Sequence, residues 1–242
     1  MVSGKGGTGK SFVTCNTAVV LAGAGFKTLI IDADTTMASV EIMYGITPKK
    51  TLQDLVAGEA SPEEVVYEGP NRTLVVPAGA KLRRRVRPSE LDAAVSSILE
   101  VVDPDYLLID AAAGLDSDVV AAVMMTEYHV IVCNPEITSL ADAYKVKMVL
   151  NGKSRYMGVV MNKVGKIELS KFRVLKLLGP ILAAIPDDDK VRETINSGVP
   201  YVLKHPKSIV TKQIFRFASA IAGVTLEPEK EKGFGFLKKK KE

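Results

Sequence analysis

The 242-residue sequence predicts a single α/β domain, a doubly wound and mostly parallel sheet with helices on both faces. Three observations predict it. Short apolar runs alternate with amphipathic stretches of helix length, the pattern of a parallel sheet covered on both sides. Each apolar run stops at a polar or special residue. A glycine-rich loop near the N-terminus leads straight into a helix pattern. With 47% hydrophobic and 25% charged residues, the chain can bury one sizeable core and hardly two.

Strands are expected at 28–32, 73–77, 106–110, 129–133, 157–161 and 181–185, and helices at 10–24, 89–101, 117–126, 138–150, 188–196 and 207–222. The strands end at Asp32, Pro77, Asp110, Asn134, Asn162 and Pro186. In an open parallel sheet the ligand crevice lies at the carboxyl ends of the strands, so these terminators are the first candidates for function. Only Met1 and Val2 precede Ser3 and the glycine-rich loop, where a full buried strand is usual. The expectation is a chain that begins several residues upstream; the alternative is a first strand cut short. The domain is expected to span 1–224. Residues 225–242 (EPEKEKGFGFLKKKKE from 227) hold too little apolar content to pack and should form a flexible basic tail.

The sequence has no run of ~18 apolar residues and no basic, apolar leader, so a cytoplasmic protein is expected. Cys15 and Cys133 lie far apart and outside any CxxC pair, which argues against a disulfide framework or an all-protein iron–sulfur or zinc site. Both are expected in the core. A net charge of +4 is mild and is no argument for nucleic acid by itself.

Gly4-Lys5-Gly6-Gly7-Thr8-Gly9-Lys10-Ser11 fits the phosphate-loop pattern GxxxxGK[ST] in full. Glycines let backbone amides turn inward around phosphates. Lys10 is expected to reach the β- and γ-phosphate oxygens and the Ser11 hydroxyl to ligate Mg²⁺, while the following helix offers its positive end. The alternative is a glycine-rich turn without ligand. Asp32 and Asp34, at i and i+2 after a buried strand, share a face and suit Mg²⁺ water ligands or the orientation of an attacking water. Asp110, closing YLLID, is placed like the Walker B acid that holds Mg²⁺ through water.

Lys5 adds a second cation that the loop does not need for its own geometry. This KGGTGKS form resembles the MinD/ParA family of deviant Walker A ATPases, relatives of the nitrogenase iron protein. The resemblance implies an ATP-dependent homodimer in which Lys5 reaches the partner's nucleotide, so that Lys5, Lys10 and Asp34 carry catalysis. A solvated loop lysine is the plainer alternative. By the same resemblance Asp34 positions the hydrolytic water and Asp32 supports the metal. Relatives usually carry a proline in the stretch after the Walker B acid, where this chain has Ala111-Ala112-Ala113-Gly114. Loss of that rigid φ suggests a more flexible loop and leaves the hydrolysis rate open.

Asn162-Lys163 is followed by Val164 and Gly165, so the acid that reads guanine in an N/TKxD context is absent. ATP is the expected nucleotide. The resemblance places Asn162 and the segment Pro186-Asp187-Asp188 beside adenine. Further spans similar to MinD-like proteins are Leu52 to Glu59, Val76 to Gly79, Asn134 to Glu136 and Gly198 to Pro200, so the likeness covers about residues 1–222 and favours the MinD branch.

MinD-like proteins end in an amphipathic segment that binds anionic membrane. Here Phe234, Phe236 and Leu237 adjoin Lys238 to Lys241, and each lysine near such a surface contributes ~1 kcal/mol. The apolar part is short and Gly233 and Gly235 weaken a helix, so a solvated lysine tail is the alternative. A second basic run, Lys81 to Arg87, is either a solvated face or a DNA-phosphate contact. The leading expectation is an ATPase that binds ATP·Mg²⁺, dimerises, hydrolyses slowly, and is reversibly membrane-peripheral in spatial positioning such as division-site selection, with an unidentified protein activator or cargo. A DNA segregation ATPase and a regulatory scaffold with little turnover are the rivals.

Overall fold

The structure is a computed structural model in which residues 1–35, 37–79, 86–165 and 174–228 are described. The strands are β1 (Thr28–Asp32), β2 (Tyr67–Glu68), β3 (Leu74–Val76), β4 (Tyr106–Asp110), β5 (Tyr128–Cys133), β6 (Arg155–Val164) and β7 (Ile181–Pro186). The helices are α1 (Lys10–Gly23), α2 (Val40–Met43), α3 (Leu52–Val56), α4 (Pro88–Val102), α5 (Ser117–Met124), α6 (Ile137–Leu150), α7 (Val174–Leu178), α8 (Lys190–Asn196), α9 (Tyr201–Lys204) and α10 (Ile209–Ala222).

Two strand groups, in the orders β2-β3-β1-β4 and β5-β6-β7, are joined by the first three residues of the chain. Val2 bridges Ile131 of β5 and Ser3 bridges Ala113 just past β4, both in parallel. The Val2 N–H donates to the Val130 carbonyl at 3.0 Å, and Ala111 N–H donates to the Met1 carbonyl at 3.2 Å. Met1–Ser3 therefore fill the central strand position from which the glycine-rich loop departs. All strand pairings are parallel except β2 with β3, an antiparallel pair at the edge.

Alternation along the strands divides the core in two. Leu29, Ile31, Val76, Ile109, Ile131 and Met161 face α4, α5 and α6, whereas Ile30, Val75, Val132, Val160 and Ala183 face α1 and α10. Each fully buried Val, Leu or Ile contributes ~1.5–3 kcal/mol, and strands with both faces covered collect that term at every residue. β1 is buried along its whole length.

The expected strands and long helices are all present, with ends displaced by a few residues. β6 is longer than the expected 157–161: Arg155 and Tyr156 pair with Tyr128 and His129, and Val164 pairs with Pro186 beyond a register break. The short α2, α3, α7 and α9 and the edge strand β2 were not expected, because one or two turns show no helical period. Cys15 and Cys133 are both buried, the latter with its Sγ 3.4 Å from Met161 Sδ. After α10 the chain folds back so that Leu226 is buried and its N–H donates to Ser219 Oγ. Phe234, Phe236, Leu237 and the lysine tail lie outside the described residues, as do Lys81 to Arg85. No helix among the described residues is long and apolar enough to cross a membrane.

Candidate functional site

The glycine-rich loop runs from Ser3 to Lys10, the first residue of α1, at the carboxyl edge of the sheet. Its two pattern-defining glycines are required for different reasons. Gly9 caps α1 in the left-handed region at φ 86°, and a Cβ there would enter the Asn162 side-chain amide. Gly4 has ordinary φ, but a Cβ would meet the Asp142 backbone of α6 at 2.7 Å. The loop is thus seated against α6 on one side and the end of β6 on the other. First-turn N–H groups and the α1 dipole give its mouth positive character.

Lys10 is buried, and its Nζ lies 3.0 Å from Asp110 Oδ1. Thr14, one turn along α1, donates to the same oxygen at 3.1 Å. Asp110 Oδ2 is buried with no hydrogen-bond partner among the described residues. Asp32 stands in register with Asp110 across β1 and β4. Burial, and then the Asp110 charge, push Asp32 up to about 7, against the pull of N–H donors from Ser39, Val40 and Asp34. Those donors lie on the segment from β1 to the first residue of α2, so Asp32 organises the loop that carries Asp34. Asp34 Oδ1 accepts the Met37 N–H at 3.0 Å, and Ser39 Oγ donates to Ser11 Oγ at 2.8 Å.

Lys5 lies at the exposed rim, where its Nζ pairs with Glu136 Oε2 at 2.8 Å. That hydrogen bond and charge hold the Glu136 carboxyl below the usual carboxylate range. Asn162 Nδ2 donates to the Thr8 carbonyl at 2.8 Å and Lys163 Nζ to the Gly7 carbonyl at 2.9 Å. Pro186 ends β7, and the Asp187 N–H donates to the Val164 carbonyl, which sets this segment beside the end of β6.

Asp32 and Asp110, far from the loop in sequence, are therefore brought beneath Lys10 and Ser11 and the loop formed by Gly4, Lys5, Gly6, Gly7, Thr8 and Gly9. Asp34 lies on the adjoining loop, and Asn162, Pro186 and Asp187 lie at the ends of β6 and β7. Sequence reasoning did not single out Thr14, Ser39, Glu136 or Lys163. For Thr14 the signal was present, four residues after Lys10 on one helix face. The other three are placed by the tertiary fold alone. The Ser11 hydroxyl and Asp110 Oδ2, which has no hydrogen-bond partner among the described residues, are hard oxygens of the kind Mg²⁺ takes, and the amide-lined loop fits a phosphate chain.

An anion cradle at a helix N-terminus, set over a buried lysine and a strand-end acid, defines the P-loop nucleotide-binding class. Residues 1–201 match the CobQ/CobB/MinD/ParA nucleotide binding domain, and the chain belongs to this family. It is 34% identical to an uncharacterized ATP-binding protein of Methanocaldococcus jannaschii, over 100% of this chain and 91% of the relative. The solved cell division ATPase MinD of Pyrococcus furiosus is similar with a TM-score of 0.82 and 35% identity, covering 92% of this chain and 97% of that one. The septum site-determining protein MinD of Pyrococcus horikoshii, solved with Mg-ADP, gives 0.81 and 34%, covering 91% and 93%. The MinD/ParA resemblance in the sequence thus identified the family.

Proposed function

We propose that this protein is a MinD-like ATPase whose nucleotide state controls a homodimer and its association with a membrane surface and a protein partner. The observation that carries this reading is the Lys10–Asp110 pair under the glycine-rich loop, with the second Asp110 oxygen buried and unpartnered. Such a site is set to exchange partners when nucleotide binds. Lys10 transfers from a carboxylate to phosphate oxygens, releasing Asp110 Oδ1. Ser11 and Asp110, supported by Asp32, are then the residues to hold Mg²⁺, which supplies charge neutralisation at the phosphates. Gly4 to Gly9 bind and orient the phosphate chain through their amides. Asp34 orients the attacking water, and Lys5 leaves Glu136 to meet the partner protomer's nucleotide. Asn162, Pro186 and Asp187 flank the base. Hydrolysis proceeds without a covalent intermediate, by positioning and electrostatics. The similarity to cell division ATPases supports a role in spatial positioning.

Light scattering of the full chain with ADP and with ATP·Mg²⁺ tests this reading, using Asp34→Ala to block turnover and anionic liposomes to read membrane capture. A dimer only with ATP, captured by liposomes through residues 233–242, supports it. An ATP dimer that instead shifts DNA in a salt-sensitive manner moves the function to the DNA-segregation rival. Binding without dimer or turnover leaves a scaffold and removes the role of Lys5.

A further inference from the structure

The end of β6 departs from a regular strand where it meets the phosphate loop. Its ladder with β7 breaks register between Met161 and Val164, and Lys163 has φ 54°, in the left-handed region that residues with a Cβ seldom adopt. In a regular strand consecutive side chains point to opposite faces. Here consecutive side chains reach the same loop, Asn162 to the Thr8 carbonyl and Lys163 to the Gly7 carbonyl. These carbonyls belong to the two peptide groups whose N–H groups are on Gly9 and Thr8. Across a trans peptide the C=O and N–H point in opposite directions, so a carbonyl held toward β6 turns its N–H to the loop's other side.

We infer that the Asn162–Lys163 bulge is a clamp that aims the Thr8 and Gly9 amides at the phosphate chain, and that Lys163 is a positioning residue for phosphate whatever base is attached. This rests on the nucleotide reading of the site. The left-handed Lys163 fits the role: an unfavourable backbone conformation is retained where it brings a second side chain onto the loop. A solvated lysine at the end of a strand would need neither the register break nor the positive φ. The clamp also accounts for Gly9, since the space a Cβ would take is occupied by the clamping amide of Asn162.

The test compares the full-length protein with Lys163→Met and Lys163→Arg, titrated with ADP·Mg²⁺, GDP·Mg²⁺ and magnesium pyrophosphate, while NMR follows the Thr8 and Gly9 amide resonances. Lys163→Met is expected to weaken all three ligands by the same factor, about three- to tenfold, the equivalent of one solvent-exposed hydrogen bond. The ADP/GDP ratio and the thermal midpoint stay unchanged, the Thr8 and Gly9 resonances move, and Lys163→Arg restores affinity. Unchanged pyrophosphate affinity overturns the inference, as does a change confined to the ADP/GDP ratio, which would make Lys163 a base contact. A loss of affinity that follows a lower thermal midpoint with unmoved resonances also overturns it. Wild-type protein that binds none of the ligands overturns the nucleotide reading itself, which the other outcomes leave standing.

Discussion

Lys10 Nζ and Asp110 Oδ1 lie 3.0 Å apart with side chains only 7% and 0% exposed, so two charges from opposite ends of the catalytic pattern neutralise each other inside the fold. Removing one partner strands the other in a medium that solvates it poorly. Asp110→Asn is expected to destabilise the nucleotide-free protein by roughly 3–5 kcal/mol, and the double change Lys10→Met/Asp110→Leu by much less. Urea unfolding of the single and double variants measures both, and equal costs would show that the pair is not desolvated as described.

Asp32 gives a pH dependence whose sign follows from its raised value. A carboxyl shifted from 3.8 to about 7 on folding favours the folded state in its protonated form. That contribution is complete below 3.8 and is lost as pH rises through about 7, so the nucleotide-free protein should lose stability from this group across that window. Carboxyl carbon NMR should show Asp32 titrating near neutrality. Asp110→Asn, by removing the neighbouring charge, should move that midpoint down; an Asp32 midpoint near 3.8 in the wild type would contradict the geometry.

Three glycines of one loop should respond differently to alanine. Gly4→Ala forces a Cβ against the α6 backbone, and Gly9→Ala adds left-handed strain to a clash, so each should cost at least about 1–3 kcal/mol. Gly6 has no positive φ, and no atom of the described residues lies within 4 Å of where its Cβ would sit, so Gly6→Ala should change stability by less than about 0.5 kcal/mol. Thermal unfolding of the three variants, without nucleotide, checks the order.

Glu136→Gln should leave the fold untouched, because its ion pair with Lys5 is exposed, yet it frees Lys5 from an intramolecular partner. ATP-dependent dimerisation of the Asp34→Ala background is expected to tighten when Glu136→Gln is added, and more so at low salt. Sedimentation with ATP·Mg²⁺ reads this directly. A weaker dimer would mean that Glu136 contributes to the interface instead of restraining Lys5.

The strands were legible because both of their faces are covered, so TLIID, YLLID and HVIVC read as unbroken apolar runs ended by a polar residue. The phosphate loop was legible for a related reason: its local backbone geometry demands glycine, lysine and serine at fixed spacing. Short α2, α3, α7 and α9 were not, since segments of four or five residues are held by packing and carry no period.

By itself, then, the sequence determined the layered α/β fold, the loop that takes phosphate, the acids at the strand ends and the family, all properties fixed by contiguous residues. Only the tertiary structure decided which of those residues meet. It paired Lys10 with Asp110 and Lys5 with Glu136, set Asp32 to organise the Asp34 loop, and brought Asn162 and Lys163 onto Thr8 and Gly7. Such contacts depend on strand register and on the register break at the end of β6. A register is chosen by the packing of the whole sheet, which no window of sequence contains.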